Sequence, residues 1–165
     1  MIVDGANVMG SRADGWWRDR AGAMARLHGE LAALATRGIQ GPVPGDLPDS
    51  RGPGDTADGP SSADVPGAGS ASAPKAGEDD ADGRWYPQVV LVVEGRTRKV
   101  LSLVSPAPAV QVVAARGEGD DELADLAGRL TGQRIVITAD RELRRRVTAA
   151  GAAVTGPGWL IRQFR

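Results

Sequence analysis

The chain has no cysteine and a single histidine, His28, in 165 residues. Disulfides, thiolate zinc sites, thiol nucleophiles and multi-histidine zinc are thereby excluded, and a Ser-His-Asp triad is disfavoured. Aromatics are scarce, with one Phe, one Tyr and four Trp. Lysine is nearly absent, at two residues against eighteen arginines. Since Ala, Gly and Asp are abundant as well, the arginine count reflects a coding bias and by itself says little about phosphate binding. No apolar run approaches membrane-spanning length and no signal peptide is visible, so a cytoplasmic protein with no membrane role is expected. GxxxxGK(S/T) is missing, which rejects a P-loop, and no GxGxxG follows the first apolar run, which rejects dinucleotide binding.

The length suits one domain with its own core. The formal net charge of -1 is unevenly spread. Positions 40–84 hold nine acids against three bases, a net of -6, leaving +5 for the remainder. That stretch is dominated by Gly, Pro, Ser, Ala and Asp and has no apolar period, so it cannot bury enough surface to offset its ordering entropy. It reads as a flexible acidic insert interrupting a single domain that spans 1–165. A mildly basic body suits an anionic ligand such as nucleic acid.

Outside the insert the chain alternates strand and helix signals. MIVD at residues 1–4 reads as a strand followed by a turn-like GAN, and residues 11–17 as a loop. Met24, Leu27, Leu31 and Leu34 recur at three- and four-residue steps and predict a helix over 18–37, stopped by Gly38. QVVLVV (88–93) is a β-branched run suited to a strand buried on both faces. Residues 96–104 fit a loop or a short helix. Strands are predicted at 110–114, 134–138 and 152–154, and helices at 120–130, 140–150 and 159–164. Such alternation predicts an α/β fold, a Rossmann-like three-layer α/β/α sandwich on a mostly parallel sheet.

Asp4, Asn7, Asp120, Asp121 and Asp140 all stand at expected strand ends or helix starts. In a parallel sheet these positions share the carboxyl edge, where open α/β sheets bind ligands. Singly, each has an ordinary role: Asp4 and Asn7 can cap a turn, and Asp120, Asp121 or Asp140 can cap a helix. Together they repel unless a cation sits among them. Hard oxygen donors suit Mg²⁺ or Mn²⁺, which could activate water and offset charge on a phosphate.

IVDGANVMGS, GDDELADLA and ITADRELRRRV resemble the NYN branch of the PIN-like nucleases, close to the bacterial YacP-like group. The resemblance covers residues 1–38 and 86–165 in the right order. It implies a PIN-like α/β/α domain and metal-dependent ribonuclease activity, hydrolysing phosphodiester bonds of single-stranded RNA. It makes Asp4, Asp120, Asp121 and Asp140 metal ligands, and has Asn7 steady Asp4 or the substrate. PIN-like domains often carry a mid-chain Glu, for which Glu94 is a candidate by its position at a strand end. The insert at 40–84 departs from the usual compact domain.

Arg12, Arg18, Arg96, Arg116 and Arg141 are placed by their positions after strands to contact phosphates along a single strand, although solvated helix faces would look alike. Trp16 and Trp17 fit core packing, or one of them base stacking. No general base is evident, which leaves metal-activated water as the nucleophile. A metal-dependent nucleotide pyrophosphohydrolase and a non-catalytic RNA-binding module on the same fold are the alternatives, and a homodimer is open.

Overall fold

A computed structural model of the chain describes residues 1–44 and 83–165. Among them seven strands run β1 (Ile2–Asp4), β2 (Ile39–Gln40), β3 (Arg84–Trp85), β4 (Val89–Val93), β5 (Val110–Ala114), β6 (Ile135–Ile137) and β7 (Ala153–Thr155). Five α-helices run α1 (Gly5–Gly10), α2 (Arg20–Arg37), α3 (Gly119–Arg129), α4 (Arg141–Ala149) and α5 (Pro157–Gln163), and Gly95–Ser102 is a 3-10 helix.

Five strands form one all-parallel sheet in the order β5-β4-β1-β6-β7. The chain leaves β1 toward β4 and β5, then crosses back to β6 and β7 on its other side. β1 is therefore the point where the strand order reverses, the position at which ligand crevices open in such sheets.

Two apolar layers sandwich the sheet. On one face Val3, Leu91, Val93, Ile135 and Ile137 pack against Met24, Leu27, Leu31 and Leu34 of α2 and Leu160 of α5. On the other, Ile2, Val92 and Val136 pack against Leu123 and Leu126 of α3 and Leu143 and Val147 of α4. Strand residues thus alternate between the layers with the period of two that a strand imposes. The α2 stripe is essentially fully buried, each large side chain contributing about 1.5–3 kcal/mol relative to exposure. The sheet and its two helical layers give the α/β/α class read from the sequence.

Two local expectations change and one open alternative is decided. The GAN segment is not a turn but the start of α1, because Asp4 caps the helix by accepting from the Asn7 backbone N–H at 3.0 Å. The segment after β4 resolves as a 3-10 helix, opened by a capping box in which Thr97 Oγ1 accepts from the Glu94 N–H at 3.1 Å. The ends of the acidic stretch are ordered: Ile39 pairs with Trp85 and Gln40 with Arg84, antiparallel, and Trp85 stacks on Trp159 of α5 with ring centroids 6.3 Å apart. The rest of the insert reading, positions 45–82, lies outside the described residues. No helix among the described residues is long and apolar enough to cross a membrane.

Candidate active site

Register explains why the carboxyl edge gathers what it does. Val3 of β1 is level with Ile137 of β6, so the next residues, Asp4 and Thr138, meet side by side. Asp4 is level with Val92 of β4, which sets Glu94 two residues further out at the mouth.

Asp4 is buried and fully oriented. Its Oδ1 accepts from the Asn7 backbone N–H, and its Oδ2 accepts from Asn7 Nδ2 at 2.8 Å and from Thr138 Oγ1 at 2.9 Å. Asn7 also binds across the crevice, its Oδ1 accepting from the Ala139 N–H at 3.2 Å. Asn7 therefore joins the segment after β1 to the segment after β6. Thr138 Oγ1 in turn accepts from the Asp140 N–H at 3.2 Å, and Asp140 Oδ1 caps α4 by accepting from the Leu143 N–H at 2.8 Å.

From the other side, Glu94 Oε2 accepts from the Gly119 N–H at 2.8 Å, tying the end of β4 to the start of α3. A Cβ on Gly119 would sit 2.8 Å from that oxygen, so glycine is what lets the carboxylate reach the backbone. Gly5 is a second close approach: a Cβ there would meet Met24 Cε at 2.7 Å and the Val92 carbonyl at 2.8 Å.

Asp120, in the first turn of α3, completes the ring. Burial pushes its carboxyl above the usual carboxylate range, and the charges of Asp4, Asp140 and Glu94 push it further the same way, against a weaker opposite pull from Arg146. Asp4, Asn7, Glu94, Gly119 and Asp120 line a cavity of about 100 Å³, floored by Val92 and Leu123. Of the predicted acids, Asp4, Asp120 and Asp140 are brought within mutual electrostatic reach, and Glu94 joins them.

Asp121 is not brought there. One residue along a helix is a rotation of about 100°, and the Asp121 side chain is 71% exposed and paired with Arg146 at 2.8 Å. It borders a separate open groove with Arg116 and Glu118. The sequence carries the signal that separates the neighbours: Asp120 precedes the buried Leu123 by three, whereas Asp121 shares the outward face with Asp125.

The predicted basic contacts divide likewise. Arg12 is taken up internally: its Nη2 bonds Glu30 at 2.6 Å and its guanidinium lies 5.1 Å from the Phe164 ring centroid. The end of α1 folds over α2 and α5, which turns this side chain inward rather than toward a phosphate. Arg18, Arg96, Arg116 and Arg141 are exposed and lack ion-pair partners among the described residues. Arg98 does not face solvent alone, since it donates to the Ala115 carbonyl and holds the 3-10 helix to the end of β5.

The donor set fits Mg²⁺ or Mn²⁺ in kind, because every candidate ligand is a hard oxygen and the Asp120 carboxylate makes no hydrogen bond of its own among the described residues. As the side chains stand, no three carboxylates among the described residues converge closely enough to coordinate one ion.

No family model and no curated protein sequence matches the chain. Its structure is similar to the crystal structure of a mutant of Rae1 (YacP) from Bacillus subtilis, with a TM-score of 0.57 over 99% of this chain and 72% of that one, at 14% sequence identity. At that identity the likeness is one of fold, and the fold is that of a protein bearing the YacP name.

Proposed function

We propose that the chain is a Mg²⁺- or Mn²⁺-dependent endoribonuclease of the NYN, PIN-like kind, hydrolysing phosphodiester bonds of single-stranded RNA. The observation that carries this reading is the set of three carboxylates, Asp4, Glu94 and Asp120, lining one small polar cavity at the sheet's reversal point, with Asp140 within electrostatic reach of Asp120. Uncompensated, they repel one another; the Asp120 carboxyl is raised first by burial and then by the charges of Asp4, Asp140 and Glu94. Holding like charges together at a ligand edge is unfavourable for folding alone, and a perturbed carboxyl in a cleft is a functional signal.

Asp4, Asp120 and Asp140, with Glu94, are the residues that would hold the ion. When bound, it would neutralise them and supply Lewis-acid activation of water and of the scissile phosphate. Asn7 and Thr138 hold Asp4 in one orientation, so its geometry does not have to be organised during the reaction. Arg141, at the start of α4, and Arg96 and Arg116, after β4 and β5, stand exposed around the same edge and would neutralise flanking phosphates. Asp121 and Arg12 have structural partners and drop out of the proposed machinery.

Cavity size favours a polymer over a free nucleotide. About 100 Å³ admits a phosphate group, whereas pockets that enclose whole small molecules run to roughly 300–1,000 Å³. A strand lying across the edge and presenting one phosphodiester fits this shape. A non-catalytic RNA-binding module is the second reading, favoured by the carboxylates not converging on one point. Comparing an oligonucleotide panel with a nucleotide panel separates polymer from mononucleotide hydrolysis. RNA retained uncleaved in Mn²⁺ would identify the binding module.

A further inference from the structure

α3 and α4 pack on the same face of the sheet, and each starts at the carboxyl edge, after β5 and β6. Leu143 and Val147 turn α4 into that layer, which leaves Arg146 at the flank of the inward face. A helical side chain leans toward the N-terminus of its own helix, so Arg146 leans back toward the edge. There its Nη2 donates to Asp121 Oδ1 at 2.8 Å, in the first turn of α3.

Asp121 follows Asp120 directly, yet the two carboxyls part ways. Asp120 lines the carboxylate cavity, whereas Asp121 is turned out to solvent. The guanidinium that Asp121 anchors acts on both. Its charge favours the ionised Asp120 carboxyl, in opposition to Asp4, Asp140 and Glu94. Asp121 is not among the charges that act on Asp120, so the ion pair presents its positive end to the cavity. The neighbouring arginines of α4 are placed differently: Arg144 donates to the Thr138 carbonyl at 3.3 Å, and Arg145 pairs with Glu142.

The pair does little for the fold as such. Its side chains are 39% and 71% exposed, and ion pairs so far in water contribute little to stability. What it does supply is one positive charge beside carboxylates that otherwise repel one another. A divalent ion entering the cavity would be drawn by the same carboxylates and repelled by the guanidinium.

We propose that Arg146, anchored by Asp121, is a built-in counter-ion of the carboxylate site, which offsets the carboxylates in the metal-free protein and weakens the hold on a divalent ion. This rests on the metal-dependent reading of the cavity for the ion but not for the counter-ion. It also gives the second Asp of the GDD element a role, as the anchor of a cation rather than as a ligand.

The test uses Mn²⁺ alone as the probe. Arg146→Gln removes the charge and keeps a side chain that can still bond Asp121, while Arg146→Lys keeps the charge. Each full-length protein is titrated with Mn²⁺ at fixed pH and ionic strength, free ion being counted by its paramagnetic resonance, and thermal unfolding is followed in EDTA. Arg146→Gln is expected to bind Mn²⁺ roughly 3- to 10-fold more tightly, the effect of removing one partly screened positive charge from near a divalent ion. Arg146→Lys stays close to the wild type. In EDTA, Arg146→Gln melts below the wild type, and that loss shrinks in an Asp120→Asn background, where the carboxylate it offsets is gone. Unchanged or weaker Mn²⁺ binding by a folded Arg146→Gln, the same tightening with Arg146→Lys, or an undiminished loss in the Asp120→Asn background would overturn the proposal. A wild type that takes up no Mn²⁺ would sink the metal reading, and with it the effect on the ion. The comparison in EDTA would still decide the counter-ion, so the two failures are distinguishable.

Discussion

Thr138 Oγ1 donates to Asp4 Oδ2 at 2.9 Å, linking two buried residues 134 positions apart. The same hydroxyl oxygen accepts from the Asp140 N–H, so one threonine sets both the central carboxylate and the approach to the next. Thr138→Val keeps the shape and deletes the hydroxyl. It is expected to cost about 1–3 kcal/mol, because a buried carboxylate oxygen loses a donor. Cleavage should fall further than stability alone explains, whereas Thr138→Ser should keep both. Denaturant unfolding and initial rates on the three proteins check this; a fully active Thr138→Val would remove Thr138 from the account.

Asp120 ties the site to pH. Its carboxyl is raised by burial and by Asp4, Asp140 and Glu94, so the folded state holds this proton to higher pH than the unfolded chain does. Stability from this group is present at low pH and is lost as pH rises through the raised value. Without divalent metal, Asp120→Asn should therefore raise the melting temperature at neutral pH, and with Mg²⁺ or Mn²⁺ supplied it should abolish cleavage. A lower melting temperature for Asp120→Asn at pH 7 would contradict the repulsion on which the site reading rests.

Glycine at 119 is expected to be required. Gly119→Ala places a methyl 2.8 Å from Glu94 Oε2 and must displace the carboxylate or the helix start. Reduced cleavage and a lower melting temperature should follow. In a Glu94→Ala background the same substitution should cost far less stability, since its collision partner is gone. Additive losses in the double mutant would show that the two residues do not interact.

His28 should make the fold acid-sensitive independently of the site. Buried on α2, its imidazole titrates below the usual 6.5, because desolvation disfavours the charged form. The unfolded chain then binds the proton more readily, and stability falls as pH drops below about 6.5. Replacing His28 with an apolar residue of similar size, such as His28→Met, should flatten that part of the stability profile. An unchanged slope in the variant would assign the acid sensitivity to other groups.

The layers were legible because periodicity is a one-dimensional record of burial. The α2 stripe, the β-branched run of β4 and the strand–helix alternation all survive in the structure within a residue or two at their ends. α1 was not legible: six residues are too few for a period, and the helix exists through the Asp4 cap. Asp4, Asp120 and Asp140 could be placed on one edge because parallel strands put all their carboxyl ends together. Thr138 could not be singled out, since its role comes from the β1–β6 register and not from any local pattern. Arg12 shows the other limit: its partners Glu30 and Phe164 are distant in sequence, and only packing reveals that the charge is already used.

The most direct test of the central claim is metal-dependent cleavage of labelled single-stranded RNA by the wild type and by the Asp4→Asn/Asp140→Asn double mutant, in EDTA, Mg²⁺ and Mn²⁺. Asparagine at 140 can still cap α4 through its amide oxygen, whereas at 4 it replaces one of two accepting oxygens, so thermal unfolding is run beside the assay to show that the double mutant is folded. The expected result is cleavage by the wild type with Mg²⁺ or Mn²⁺, none in EDTA, and none by a folded double mutant. Cleavage that persists in EDTA or in the double mutant would contradict the carboxylate site, and a wild type that binds the RNA but never cuts it would contradict the enzyme.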